Sequence, residues 1–506
     1  MASSGPQETL SVAKNWLRHC LENHKCHQSL FVPRRSGNTP QDLADAIDER
    51  STFYPTRLLD LRVFGDDCPD IRLIESPAPG SPFATLSHCW GGDTKCQATT
   101  RTIHNLRDRI LYTGLPQTYR DAIAVCRFLS IRYLWIDSLC IIQDSQEDWA
   151  REAARMSYVY SNTHVTISAD WSPNSEGGCF KDLSKQPVFE AERMVCINGV
   201  LSSGQQSYLY VPSWPFSDHH DLDSTHLAGR AWAFQERFLS RRNLHFTRNQ
   251  LFWECREGFA GEDMVPRLHG ALIPGQLLEM RSQETLEDRL HAWCLVVRNY
   301  SRAKITFSTD RLPAISALAK LCADDLCSPY LAGLWLEGLW YTLCWFRRLE
   351  IESIEKPKDY IAPSWSWCSV NSDVNFLITW PSITAIKRVE VLDAFVQPIG
   401  DPFGQVSRGW ICLRGHIAEN LFQLRTLGHG REYTIYPDYP REPPPPNIYW
   451  LLLGETALRV SGPLEYYFLL VVISSIDSNV YERWGMGATR SAFVSEQWPE
   501  KTITII

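Results

Sequence analysis

Residues 132–142, RYLWIDSLCII, form an apolar run broken by a single acid, and an amphipathic segment flanks it on each side. Such a run, bounded by helical patterns, reads as a strand buried on both faces, which is the environment of a parallel sheet. Upstream, LPQTYRDAIAVCRFLSI (115–131) sets Ala122, Val125, Cys126 and Leu129 on one helical face, with Thr118 positioned as its N-cap. Downstream, SQEDWAREAARMSYVYSN (145–162) places Ser145 and Asp148 at capping-box spacing. Its predicted buried side is Trp149, Ala153, Met156, Val159 and Tyr160, while Glu152 fits a solvated face near the helix start. FATLSHCW (83–90) and HVTISA (164–169) have strand composition, and Gly91-Gly92 ends the first of them. Strand, helix, strand, helix, strand predicts a right-handed parallel α/β domain.

The rest of the chain is organised differently. LSVAKNWLRHCLENHKCH (10–27) predicts an amphipathic helix, and FYPTRLLDLRVF (53–64) a strand. Residues 186–255 read as several strands, with GRAWAFQERFLSRR (229–242) as a helix and NLHFTRNQLFWEC (243–255) as a hairpin-like pair. Residues 284–347 read as helical, with a cap near Asp310 and a Trp-rich helix over YLAGLWLEGLWYTLCWF (330–346). Trp365 and Trp367 alternate as in a strand, and REPPPPN (441–447) reads as an exposed loop or stiff linker. Expected boundaries are an N-terminal segment at 1–80, the α/β domain at 81–260, a helical Trp-rich region at 261–375 and a strand-rich region at 376–506.

Composition excludes several classes of function. With 50 Lys+Arg against 58 Asp+Glu and a formal charge of −8, the chain has no basic stripe for nucleic acid. Its longest strongly apolar stretch, Tyr466 to Ile473, is strand-length, so no membrane span is expected. Sixteen cysteines include no Cys-x-x-Cys, and no second close pair follows at zinc-finger distance. No secretory signal is evident either, so the cysteines read as reduced, mostly buried thiols of a cytoplasmic protein without a metal.

In open parallel sheets, ligands bind beyond the carboxyl ends of the strands. That rule selects His88, Cys89 and Trp90, then Asp137, Ser138 and Cys140, then Ser168 and Asp170. Asp121, Gln143 and Asp144 belong to the same rim as binding candidates. Asp137 lies inside the most apolar segment, so either a hydrogen-bonded clasp (a helix N-terminus, Arg120 or Arg132) or a ligand must hold it. Cys89 is the candidate thiol nucleophile, although His88 next to it points to the opposite face. Trp232, Gln235, Glu236 and Arg237 share one predicted helix, where they could clasp the domain or line a ligand platform.

The segments 83–92, 115–169 and 229–255 are similar to the three sequence blocks of the fungal HET (heterokaryon incompatibility) domain, collinear over about 83–255. WLRHCLENHKC, PTRLLDL, TFSTDRLPAISALA, YLAGLW, IAPSWSWCSV and YERWG resemble segments often found around that domain. The resemblance implies non-self recognition that ends in growth arrest or cell death, acting through self-association or another incompatibility protein. It also implies a remote relation to TIR domains, which are flavodoxin-like parallel sheets, some of which cleave NAD with a glutamate. Glu176, in SPNSEGG after the third strand, is the topological candidate for that glutamate, and Glu152 is the candidate from the sequence blocks. NAD is thus the one cofactor-like ligand implied. His88 departs from the family, where an aromatic Tyr is common. Alternative readings are an enzyme or accessory protein of secondary metabolism acting on a small molecule, and a structural interaction module.

Overall fold

The computed structural model describes residues 6–28, 53–75, 80–92, 96–180, 194–200, 206–212, 222, 225–248, 250–262, 285–348, 356–357, 359–378, 384–419, 433–439, 445–457, 464–477, 479–490 and 498–506. They fall into two compact units, one drawn from 1–32, 41–229 and 236–275, the other from 230–235 and 276–506.

The first unit is built on an eight-stranded sheet. Its strands are β1 (Arg57–Asp60), β2 (Arg72–Glu75), β3 (Phe83–Ser87), β4 (Tyr133–Ile136), β5 (Val165–Ser168), β8 (Arg242–Phe246), β9 (Leu251–Cys255) and β10 (Gly258–Gly261). A separate hairpin pairs β6 (Met194–Val200) with β7 (Gln206–Pro212). The sheet order is β10-β9-β8-β5-β3-β4-β1-β2. Its centre, β4-β3-β5-β8, is parallel, and antiparallel strands close both sides. Every residue of β1, β3, β5, β8 and β9 is buried, which accounts for their lack of polar alternation. Helix α1 (Pro6–Asn23) precedes the sheet, α2 (Gln117–Phe128) connects β3 to β4, and α3 (Gln146–Asn162) connects β4 to β5.

Three local expectations change. The strand expected over 132–142 stops at Ile136, and Asp137–Cys140 turns into a short helix, because the Asp137 carboxylate accepts the Ser138 amide (2.7 Å) at the point where the ladder ends. Thr118 lies inside α2 instead of capping it, and Pro116 takes the cap position. In α3, Ser145 does cap the Asp148 amide, but Trp149 is 42% exposed while Asp148 and Glu152 are buried. Buried Arg57 on β1 draws both acids inward, pairing with Asp148 at 2.5 Å and reaching Glu152 at 4.0 Å, so Glu152 belongs to an ion-pair network and not to a solvated face.

The second unit contains α5 (Leu286–Tyr300) and α6 (Ser316–Leu326), the short pair β11 (Tyr330–Leu331) with β12 (Leu334–Trp335), and the pair β13 (Trp345–Arg347) with β14 (Val374–Phe376). No Trp-rich helix runs over 330–346: Ala332 (φ 44°) and Gly333 (φ 99°) make a tight turn, and a one-turn helix (Leu339–Thr342) follows. Nor is PSWSW a strand; it forms a turn and a 3-10 helix with Trp365 and Trp367 fully buried. The indoles of Trp293 and Trp367 both donate to the Gly333 carbonyl, at 2.8 and 3.0 Å, which satisfies two polar groups inside an aromatic core. Asp310 does not cap a helix but accepts the Trp232 indole N–H at 3.3 Å.

The strand-rich end supplies β15 (Thr384–Lys387), β16 (Val389–Pro398), β17 (Val406–Glu419), β18 (Tyr433–Pro437), β19 (Tyr449–Ala457), β20 (Leu464–Ile473), β21 (Val480–Thr489) and β22 (Glu500–Ile505). They are ordered β15-β19-β20-β21-β22-β17-β16, with β18 on β21. A second pairing, β17 with β19, closes five of these strands into a ring around Trp450, Leu452, Phe468, Leu470 and Trp484. Most of REPPPPN lies outside the described residues. Among the described residues, no helix is long and apolar enough to cross a membrane.

Candidate functional site

The carboxyl ends of β3 and β4 lie side by side because the two strands pair in register, with Leu86 opposite Ile136. The residues just beyond them form one hydrogen-bonded chain. His88 Nε2 meets the Tyr119 hydroxyl at 3.1 Å, and that hydroxyl meets Ser138 Oγ at 2.7 Å. The Ser138 amide donates to Asp137 Oδ1 at 2.7 Å, and the Trp90 indole donates to Asp137 Oδ2 at 2.9 Å. His88 and Trp90 therefore grip the end of β4 from both sides. Burial pushes the Tyr119 hydroxyl well above its usual range, with the Asp137 charge adding to the effect, so it stays protonated as donor and acceptor. Asp137 and Trp90 are half-buried and face the rim, whereas His88 and Cys89 are buried. Arg132 and Arg120, considered as partners for Asp137, bond elsewhere: Arg132 to Asp60 at 2.8 Å and Arg120 to Gln117 at 2.7 Å.

A second layer of the rim is the loop 171–180 after β5. Asp121 on α2 is its anchor. One carboxylate oxygen accepts the Cys179 amide at 2.8 Å, and the other accepts Gln117 Nε2 at 2.6 Å. Burial raises the Asp121 carboxyl, and the amides that it receives counteract this. Gly91, at φ 72°, packs so closely on the loop that an added Cβ would stand 2.0 Å from Asn174 Cβ. Glu176 sits in this loop with an exposed side chain, and its amide is held by the Asn174 side chain at 3.0 Å. Gln143 bonds the Asp137 and Ile141 carbonyls, each at 3.0 Å. Exposed Asp144 accepts the Thr100 hydroxyl and amide, both at 2.7 Å, and the hydroxyl first and the amide second hold its carboxyl below the usual range. Cys140 is buried, and burial pushes its thiol up to about 12, away from nucleophilic reactivity at neutral pH.

Sequence reasoning picked out Asp170 and Arg237 but missed the two residues between them. Asp170 Oδ2 meets His245 Nδ1 at 2.9 Å, and His245 Nε2 meets Glu254 Oε2 at 3.2 Å. Arg237 closes the chain with a bidentate pair to Glu254, 2.8 Å on each arm. Burial disfavours the charged imidazole, yet the two carboxylates overcome it and push His245 up to about 9. Burial likewise works against the Glu254 charge, but Arg237 and His245 bring its carboxyl down to about 2. Only the alternation of charge among buried strands in RNLHF and LFWEC could have hinted at these partners. A hydroxyl ladder, Thr85–Thr166–Ser240 at 2.7 and 2.6 Å, runs across β3 and β5 beside it.

Helix α4 (Ala231–Leu239) carries the remaining candidates. Glu236 accepts a hydrogen bond from the Ser87 hydroxyl in the first unit. In the second unit, Gln235 Oε1 accepts the Ala317 amide at 3.2 Å, and Trp232 bonds Asp310.

Residues 83–236 match the family model described as "Heterokaryon incompatibility protein (HET)". Residues 83–236 are a HET domain. The matched stretch opens at Phe83, the first residue of β3, and closes at Glu236, whose carboxylate is tied back to Ser87 at the other end of that strand. The HET domain thus spans the parallel strands β3, β4 and β5, the two helices between them and most of α4, and it contains the His88–Asp137–Trp90 rim. β8 to β10, which complete the same sheet, lie beyond the match. No curated protein and no solved structure gives a significant match.

Proposed function

We propose that this HET-domain protein is an effector of fungal heterokaryon incompatibility that acts by assembly, through self-association or a second incompatibility protein. The observation that carries the reading is the HET match on a sheet whose rim groups are used up in holding the domain together. Asp121, Asp137, Asp170, Glu236 and His88 each bond a neighbour within the first unit. A domain with its polar groups committed in this way is suited to presenting a fixed surface. The likeness to TIR domains is supported by strand order: numbered from β3, the parallel strands run second, first, third, fourth, the order of flavodoxin-like sheets.

Inducible expression in a filamentous fungus tests the reading. Growth arrest or death of the expressing cells is expected, and normal growth at confirmed protein levels would sink it. Incubation of the purified chain with NAD separates the hydrolase alternative: nicotinamide release abolished by Glu176→Gln or Asp137→Asn would replace assembly with catalysis at the rim. An altered metabolite profile after gene deletion, with unchanged compatibility, would instead indicate a biosynthetic role.

A further inference from the structure

Outside the HET match, three cysteines and a histidine converge on one point of the first unit. Cys20 is in the last turn of α1, and His24 follows one turn later, its amide bonded to the Cys20 carbonyl at 3.0 Å. That spacing brings the two side chains to one face. Cys26 lies two residues on, and Cys255 ends β9, where it pairs in register with both Arg242 and Gly258. The three Sγ atoms and a His24 ring nitrogen all lie within 4.8 Å of one another. Cys255 Sγ and His24 Nδ1 are 3.3 Å apart. A tetrahedron with Zn–S bonds of about 2.3 Å has edges of roughly 3.8 Å, so these atoms stand at the separations of a four-ligand shell. Exposure of the three cysteines is 0%, 1% and 1%.

The surroundings complete the case. Arg242, 2% exposed, directs Nε to Cys20 Sγ at 3.2 Å while Nη1 bonds the His164 carbonyl at 3.1 Å. A buried guanidinium facing a thiol is compensated when that sulfur is an anion. Three thiolates and one dication leave a net charge of −1, which Arg242 offsets as an outer-shell donor. The loop bearing His24 and Cys26 is fixed by its own bonds: Arg256 donates to the Gln28 carbonyl at 2.5 Å, and the Lys25 amide donates to Glu257 at 2.5 Å. A disulfide would use only two of the sulfurs and leave the ring nitrogen and Arg242 unexplained.

We infer that Cys20, His24, Cys26 and Cys255 form a structural zinc site that fastens the N-terminal helix to β9, the antiparallel strand beside the parallel centre of the sheet. The thiolate-rich donor set selects Zn2+ among common cations, and four protein ligands leave no open position for substrate.

The test is the metal content of the full chain, purified under reducing conditions without chelator. About one zinc per chain is expected, falling at least about fivefold in Cys255→Ser and Cys26→Ser and staying unchanged in Cys412→Ser, a thiol on β17. Should the ligand variants fail to fold, cobalt(II) added to the demetallated natural chain supplies the second readout. Intense tetrahedral ligand-field bands with thiolate-to-cobalt charge transfer, displaced by zinc, are expected. Absence of both zinc and the cobalt spectrum overturns the site, as does a Cys20, Cys26 or Cys255 disulfide in the reduced preparation. Full zinc retention by a folded Cys255→Ser variant overturns it equally.

Discussion

His245 is held between two carboxylates inside the first unit, and its charge is therefore tied to folding. Its ring titrates at about 9 in the fold, against about 6.5 for an unfolded chain. The raised value means that the stabilisation is fully present below about pH 6.5 and is lost as the pH climbs through about 9. Hydrogen exchange of the β8 and β9 amides, corrected for intrinsic rate, should accelerate across that window, equivalent to a loss on the order of a few kcal/mol. His245→Gln should remove the pH dependence, and a profile that stays steep in the variant would show that another group controls it. Glu254 shifts the other way, so its contribution is fully present above about pH 4.5 and is lost as the pH falls toward about 2.

At the scale of elements, Gly91 and Gly92 look alike in sequence but do different work. Both have positive φ, 72° and 78°, yet a Cβ at Gly91 would collide with Asn174 Cβ and lie 2.8 Å from Asn174 Cα, whereas one at Gly92 meets nothing within 4 Å. Gly92→Ala should cost about 1 kcal/mol from backbone preference alone. Gly91→Ala should cost roughly 2–4 kcal/mol, because the loop 171–180 must move as well. Denaturant midpoints of the two variants check this, and equal losses would mean that the loop gives way freely. The elements also show how far the sequence can be read. Helices α2, α3 and α4 and strands β3 and β5 form where the apolar pattern places them, whereas β4 ends six residues before its apolar run does. The expected helix over 330–346 failed at Gly333 and Gly338, residues whose helix-breaking tendency the Trp-rich pattern masked; at Gly338 a Cβ would enter the Leu290 side chain. The helical period points Trp149 inward, and the buried charge of Arg57 reverses that face. The rim residues at the ends of β3 and β4 were found from strand-end logic. Tyr119, His245 and Glu254 were not, because the contacts that define them join segments far apart in sequence. The four-ligand cluster escaped for the same reason, since pair spacing cannot reveal a ligand from a distant strand.

Across the whole molecule, two sheets solve the edge problem differently. The first unit ends its parallel centre with antiparallel strands, β10 at one side and β2 at the other. In the second unit, five strands form a ring, and β22 lies between β17 and β21. Ile506 adds a backbone bond to Tyr481 at 3.0 Å, and its carbonyl accepts the Ser364 amide at 3.1 Å. The ring therefore depends on a strand of six residues that joins the barrel after all its neighbours have been made. Truncation before Glu500 should leave β17 and β21 with unpaired backbone facing outward, and such edges invite pairing between chains. Static light scattering of the shortened chain should report aggregation, while a soluble monomer would show that the other strands suffice. In practical terms β22 acts like the last stave of a cask: added late, narrow, and the piece whose removal lets the wall open.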